Sequence, residues 1–245
     1  MTRNQFLKTT MLGIAGLATT PLWAKEFSNS SLAEELIGRG NPQLVGQGYQ
    51  LRPAVHEAFQ KMRAAAKKQG FDPHIVSSYR SFAHQKGIWN RKYNDFTGNK
   101  KMNGDAAVKK IIEYSTMPGT SRHHWGTDFD WVDAKAGIIK NPLNARNYHD
   151  KGTYAPLKQW MNENAESFGF YEVYTNNPQR TGFSYEPWHF SYRPLACEYI
   201  QEVKKIDLDT IIRNTDLAGK QHVTDKFIEH YLQNHILGIN AALLP

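Results

Sequence analysis

The segment SRHHWGTDFDW, Ser121 to Trp131, sets two adjacent histidines and two aspartates among tryptophan and phenylalanine. Imidazole and carboxylate are the side chains that hold a divalent metal. A second segment, FSYEPWHFSY, carries His189 with Glu186 three residues before it. If DFDWV and WHFSY are strands, their side chains alternate between two faces. Phe129 and Trp131 then point one way, and Asp128 and Asp130 the other. Trp188, Phe190 and Tyr192 share one face of the second strand, and His189 and Ser191 share its opposite. As neighbours in one sheet, the two strands put Asp130 and His189 on the same polar face. His123 lies seven residues before Asp130, an odd number that would place it on the wrong face of a straight strand. The chain must therefore turn between them, and Gly126 permits that turn. Two imidazoles and one carboxylate are the usual protein share of a catalytic zinc site, with a fourth position left for water.

Glu186 is not part of a helical H-E-x-x-H pattern, because Pro187 disfavours a helix interior. A carboxylate so close to a ligand can nevertheless reach water at the metal and take its proton. His56, His74, His84, His149, His222, His230 and His235 have no partner motif and are read as structural. The single cysteine, Cys197, can form no internal disulfide and supplies no thiolate cluster. It reads as a small buried hydrophobe.

These side chains need a scaffold. Leu51, Val55, Phe59 and Met62 form a helical stripe that Gly70 stops. HIVSSYRS is a short β-rich run. SFAHQKGIWNRKYNDF reads as a helix with Ser81 as N-cap, TGNKKMNGD as a loop and AAVKKIIEYS as a short helix. TYAPLKQWMNENAESFGF carries Leu157, Trp160, Met161, Ala165 and Phe168 at helical intervals. Ile211, Ile212, Phe227, Ile228, Tyr231, Leu232 and Ile236 mark C-terminal amphipathic helices that pack on the domain. The irregular interleaving predicts an α+β fold: a small antiparallel sheet carrying the zinc site, flanked by helices, with extra C-terminal helices. The expected organisation is a signal peptide over 1–24, a lead-in over 25–50, a catalytic domain over 51–204 and a helical extension over 205–245.

The N-terminus, MTRNQFLKTTMLGIAGLATTPLWAKE, has basic residues, a short apolar stretch, then a small residue at Ala24. This is the layout of a secretory leader, too short for a membrane span. It predicts export to the periplasm or cell envelope, with no stable span left after cleavage. "TRNQFLK" also resembles the twin-arginine signature, with Asn4 where the second arginine belongs. The net charge is +7, and it falls by two if Arg3 and Lys8 leave with the leader. No basic run is interleaved with stacking aromatics, so nucleic acid is not an expected partner.

Three motifs in order then resemble a known family. SRHHWGTDFD fits Ser-x-His-x-x-Gly-x-x-x-Asp, EPWH fits Glu-x-x-His, and SSYRSFAHQ fits Tyr-Arg-Ser-x-x-x-Gln. Together they resemble the VanY-type zinc D-alanyl-D-alanine carboxypeptidases. That group is related to D,D-dipeptidases, L,D-carboxypeptidases and phage L-alanyl-D-glutamate endopeptidases, and more distantly to lysostaphin and hedgehog domains. The resemblance spans about Leu51 to Pro194. It implies one Zn2+ per chain held by His123, Asp130 and His189, selecting His123 over His124. It implies Glu186 as general acid/base and Arg80 as the group facing the anion that develops on the scissile carbonyl. It places Ser121 and Gln85 where related enzymes contact substrate. Asp128 departs from the family pattern, which has a small residue there. The extra carboxylate either tunes the site or selects a cationic group on the substrate.

The resemblance implies an exported zinc metallopeptidase that acts on peptidoglycan stem peptides, foremost as a D-alanyl-D-alanine carboxypeptidase. Two rivals use the same chemistry, an endopeptidase and an L,D-carboxypeptidase. A third, of another class, is a zinc-containing cell-wall binding module without catalysis. Specificity is expected to depend on the loops over 96–119 and 133–153.

Overall fold

Residue alternation along two short segments decides the architecture. The computed structural model describes residues 31–245, so the leader expected over 1–24 lies outside the described residues. Strands β2 (Asp128–Asp133) and β4 (His189–Tyr192) pair antiparallel, with Phe129 opposite Phe190 and Asp130 opposite His189. Strand β1 (Pro73–Ser77) flanks β2, and β3 (Phe170–Glu172) flanks β4. The result is a four-stranded sheet in the order β1-β2-β4-β3, every pairing antiparallel. With the helices around it, this is the expected α+β class. A bulge between Ile75 and Ser77 re-registers β1, so that Ser77 rather than Val76 faces Asp130 across the ladder.

Helix α1 occupies 31–36 and α2 runs Pro53–Lys68. Pro53 suits the first turn of α2, where its missing N–H costs no helical bond. Gly70 at φ +91° takes the left-handed position past its end. Helix α3 (Phe82–Asn94) starts at Ser81, whose Oγ accepts from the His84 N–H at 3.2 Å. α4 (Gly104–Ile111) and α5 (Ala155–Asn164) follow. α6 (Arg193–Val203), α7 (Leu208–Asn214) and α8 (Asp225–Tyr231) close the chain.

Two local expectations need correction. The start of TGNKKMNGD is not loop: a wide π-helical turn, Asp95–Asn99, continues α3. Side-chain bonds across that turn, from Thr97 to the Tyr93 carbonyl and from Asn99 to Asp95, favour helical backbone over a loop. The helix expected through Phe168 tightens after Asn164 into a 3-10 turn, Ala165–Phe168, and ends at Gly169 with φ +83°.

Two hydrophobic cores result. The first lies under the aromatic face of the sheet, where Phe129, Trp131, Phe170 and Phe190 meet Val55, Phe59 and Met62 of α2 and Leu157, Trp160 and Met161 of α5. Phe59 and Phe129 meet edge-on at 5.2 Å. The second joins Trp89 of α3, Val108 and Ile111 of α4 and Trp125 to the C-terminal helices through Ile200, Ile212, Ile228 and Tyr231. Leu36 and Ile37, from the segment read as a lead-in, are buried in it.

Candidate metal centre and its cleft

The polar face of the sheet gathers three candidate ligands. His123, Asp130 and His189 are all buried, and one donor atom from each lies within 4.8 Å of the others. The chain reaches this arrangement by the turn foreseen at Gly126. A 3-10 turn, Arg122–Trp125, ends on Gly126 at φ +70°, and β2 begins two residues later. That left-handed angle favours glycine, while a Cβ there would need only the tip of the Leu44 side chain, 2.8 Å away, to shift.

Hydrogen bonds aim each imidazole. His123 Nδ1 lies 2.8 Å from the Ser78 carbonyl, which can only accept. Nδ1 therefore carries the proton, and Nε2 presents its lone pair 3.5 Å from Asp130 Oδ2. His189 works from the other nitrogen. Its Nε2 donates to Asp128 Oδ2 at 3.0 Å, leaving Nδ1 3.5 Å from Asp130 Oδ1 and 3.1 Å from Glu186 Oε2. His124 is spent elsewhere: Nδ1 donates to the Arg80 carbonyl at 2.6 Å and Nε2 accepts from the Gly119 N–H at 3.1 Å. It staples backbone and has no lone pair for a metal.

The donor set fits a divalent ion. Asp130 Oδ1 is buried without a hydrogen-bond partner among the described residues. An orphaned carboxylate oxygen beside two imidazole nitrogens is what a cation would satisfy. Charge points the same way. Burial raises the Asp130 carboxyl, but the His123 and His189 rings and Arg80 outweigh it and hold it down at about 2. Burial, helped by the charge of Arg80 and opposed by Asp130, lowers His123 to about 4, so it is neutral and ligand-ready. His189 behaves oppositely. Burial disfavours its charge, yet hydrogen bonds to Asp128 and Glu186 raise it to about 9. Without a metal, His189 keeps the proton between itself and Glu186, and an incoming cation must displace it.

Asp128, the departure from the family pattern, is not free for a substrate. It is fully buried, accepts from Arg122 Nε at 2.8 Å and from Ser191 Oγ at 2.6 Å, and backs His189. Of the two roles open for it in the sequence, the geometry supports tuning. Gln85 also requires correction. It is fully buried, accepts from Arg80 Nη1 at 3.0 Å and donates to the Thr116 carbonyl at 2.8 Å. It braces Arg80 from behind and does not line the cleft. Helical spacing explains this, since Gln85 shares the core face of α3 with Trp89.

Arg80 and Ser121 do line the cleft. Arg80 Nη2 reaches Asp130 Oδ2 at 3.4 Å and Ser77 Oγ at 3.2 Å. Glu186 is buried at the same point, and burial raises its carboxyl above the usual range. The cleft itself measures about 480 Å³ and opens onto His123, Asp130, Glu186 and His189. Both loops expected to govern specificity contribute to it, through Tyr114, Ser115 and Thr116 and through Leu143. Cleft residues that sequence reasoning passed over include Tyr174, whose ring packs on His189 at 5.0 Å, and Lys92, and His84, read there as structural, lines the cleft as well. Nothing in the residues around Tyr174 signals its position. Lys92 recurs at four-residue intervals with His84 and Ile88, a signal that was present.

A shallow antiparallel sheet bearing two imidazoles, a ligand carboxylate and an adjacent buried glutamate defines a metallohydrolase-like site. Residues 48–195 match the family VanY: D-alanyl-D-alanine carboxypeptidase, and the chain belongs to that family. YodJ of Bacillus subtilis (strain 168) is 30% identical over 169 residues, covering 64% of this chain and 55% of that protein. A D-alanyl-D-alanine carboxypeptidase of Enterococcus faecalis is 27% identical over 170 residues, covering 64% of this chain and 57% of the other. The chain thus spans little more than half the length of these relatives. Among solved structures, VanYB in complex with D-alanine-D-alanine shares the fold, with TM-score 0.53 and 23% identity over 72% of this chain and 91% of the other. A vancomycin-resistance D,D-pentapeptidase VanY variant in complex with Zn(II) also shares it, with TM-score 0.51 and 24% identity over 75% of this chain and 90% of the other.

Proposed function

We propose that this chain is a zinc-dependent D-alanyl-D-alanine carboxypeptidase acting on peptidoglycan stem peptides outside the cytoplasmic membrane. Residues 1–24 are its cleaved leader, 51–204 its catalytic domain and 205–245 a packed extension. Family membership supports the reaction class. The observation that carries it is the meeting of one donor atom each from His123, Asp130 and His189 within 4.8 Å, with Glu186 Oε2 3.1 Å from His189 Nδ1 and Arg80 beside them.

His123, Asp130 and His189 would hold the ion, one per chain. When bound, zinc supplies the Lewis acidity that brings water within reach of deprotonation near neutral pH. Glu186 takes that proton on its carboxylate and returns it to the leaving amine. Its burial suits the second task, because a raised carboxyl holds a proton more firmly. Arg80, fixed by Gln85 and Ser77, faces the oxyanion of the attacked carbonyl. One such donor is worth about 10²–10³-fold in kcat. Ser121 on the cleft wall contacts the peptide. The presence of both Glu186 and Arg80 speaks for turnover over a purely binding role.

Metal analysis of purified protein, with mass spectrometry of products from a stem pentapeptide, tests this. The expected result is one zinc per chain and release of a single terminal alanine. Internal fragments would convert the assignment to an endopeptidase, and release of a D-alanine that follows an L-centre to an L,D-carboxypeptidase. Zinc without any cleavage would leave the binding module. Glu186→Ala should lower turnover by about 10²–10⁴-fold with zinc retained.

A further inference from the structure

Helix α3 builds one wall of the cleft. His84, Ile88 and Lys92 stand one helical turn apart and all line it. Four basic side chains reach the cleft: Arg80, His84, Lys92 and Arg122. Two are committed. Arg122 is held by Asp128 and Ser191, at 2.8 Å each, and Arg80 by Asp130, Gln85 and Ser77. Lys92 is half-buried and makes no ion pair or side-chain hydrogen bond among the described residues. By contrast, Lys86 and Lys100 reach Asp216 at 3.8 Å and Asp95 at 3.2 Å.

An ammonium partly withdrawn from water loses hydration that only a counter-ion restores. Burial lowers the Lys92 pKa, opposed by the charge of Glu186 and reinforced by Arg80 and Arg91. Lys92 lines the same cleft as Glu186 and Arg80, the two groups that would flank the scissile bond. A carboxylate on a bound peptide would supply the missing partner.

We propose that Lys92 binds a free carboxylate of the peptide substrate and makes the cleft selective for anionic peptides. This rests on the peptidase assignment above. Two carboxylates of such a peptide offer the same chemistry: the C-terminal one, and that of an acidic side chain upstream of the cut.

Two peptide pairs separate these sources. One pair ends in D-Ala-D-Ala as free acid or as amide. The other carries glutamate or glutamine immediately before D-Ala-D-Ala. KM and kcat are measured on zinc-loaded full-length protein and on Lys92→Met, Lys92→Gln and Lys92→Arg. Calorimetric Kd values are measured on zinc-loaded Glu186→Ala with and without Lys92→Met. The native side chain should favour one acid over its neutral twin by about 10–100-fold in KM and Kd. Lys92→Met and Lys92→Gln should bring that ratio near one, and Lys92→Arg should keep most of it. Loss of the acid-to-amide preference assigns the C-terminal carboxylate, and loss of the glutamate-to-glutamine preference assigns the side chain. Preferences that survive in folded Lys92→Met or Lys92→Gln, or no preference in the native protein, overturn the proposal. If the peptidase assignment alone fails, the native protein cleaves nothing while the Kd preference and its dependence on Lys92 persist.

Discussion

The two hydrophobic cores draw on different stretches of the chain. The core under the sheet is built from residues between Leu51 and Phe190, all inside the family-matched span of 48–195. The second core takes Leu36 and Ile37 from before that span, and Ala196, Ile200, Ile212, Ile228 and Leu243 from after it. The first core backs the strands that carry Asp130 and His189. The second backs the cleft wall. Tyr231 in α8 donates its hydroxyl proton to Thr120 Oγ1 at 2.7 Å and accepts from the Met117 N–H at 3.1 Å. It thereby braces the segment that leads into Ser121. His235 packs on Phe183, a cleft residue, with ring centroids 4.8 Å apart. The division teaches that the strands carrying Asp130 and His189 rest chiefly on the first core and the 115–121 wall on the second, with Tyr174 of the second core also touching His189, so damage to each core should read out differently.

The largest effect is expected at Phe129. Phe129→Ala empties the centre of the first core and should cost about 3–5 kcal/mol by denaturant unfolding. Metal affinity should fall with it, because β2 carries Asp130. Equal zinc affinity in folded Phe129→Ala would break the link between that core and the site.

Asp128→Asn leaves Arg122 and His189 without their buried counter-charge. A cost of about 3–5 kcal/mol is expected for breaking such a pair. Zinc affinity should drop about 10–100-fold in a chelator competition, since Asp128 orients and polarises His189. If stability falls and zinc affinity does not, Asp128 belongs only to the packing.

Acid sharpens the comparison from the second core. Burial lowers His235 to about 4, and burial lowers His124 to about 3, against an ordinary value of 6.5. Between 6.5 and about 4 the unfolded chain takes up protons that the folded chain refuses. Stability therefore falls as pH falls through that window, by about 1.4 kcal/mol per pH unit for each such histidine. His235→Phe should remove one histidine's share of the slope, and a pH series of urea unfolding curves measures it. An unchanged slope would show that His235 takes up its proton in the folded state too.

The smallest effect is expected at Tyr231. Tyr231→Phe deletes a hydroxyl with two partners and should cost about 1 kcal/mol. KM for the peptide should rise while zinc stoichiometry stays at one per chain. Loss of zinc instead would erase the distinction between the cores.

Much of the metal centre was legible before any fold was known. Asp130 and His189 declared their face through the aromatic residues between them, because strand alternation is local geometry. Gly126 declared a turn, because an odd spacing needs one. Gln85 shares a buried helical face with Trp89, one turn on, and that spacing is the signal that it points inward. Asp128 stayed open because two of its partners, His189 and Ser191, lie sixty-one and sixty-three residues away in sequence.

By itself, then, the order of residues determined the ligand types, the strand faces, the α3 cap and the family, all of which depend on neighbours a few positions apart. Only the tertiary structure decided which nitrogen of each histidine faces the site, that Asp128 supports His189 from behind, and that Lys92 meets no counter-ion among the described residues. Those outcomes follow from contacts between distant segments. Such contacts are set by how two cores pack against one sheet, and no local spacing encodes them.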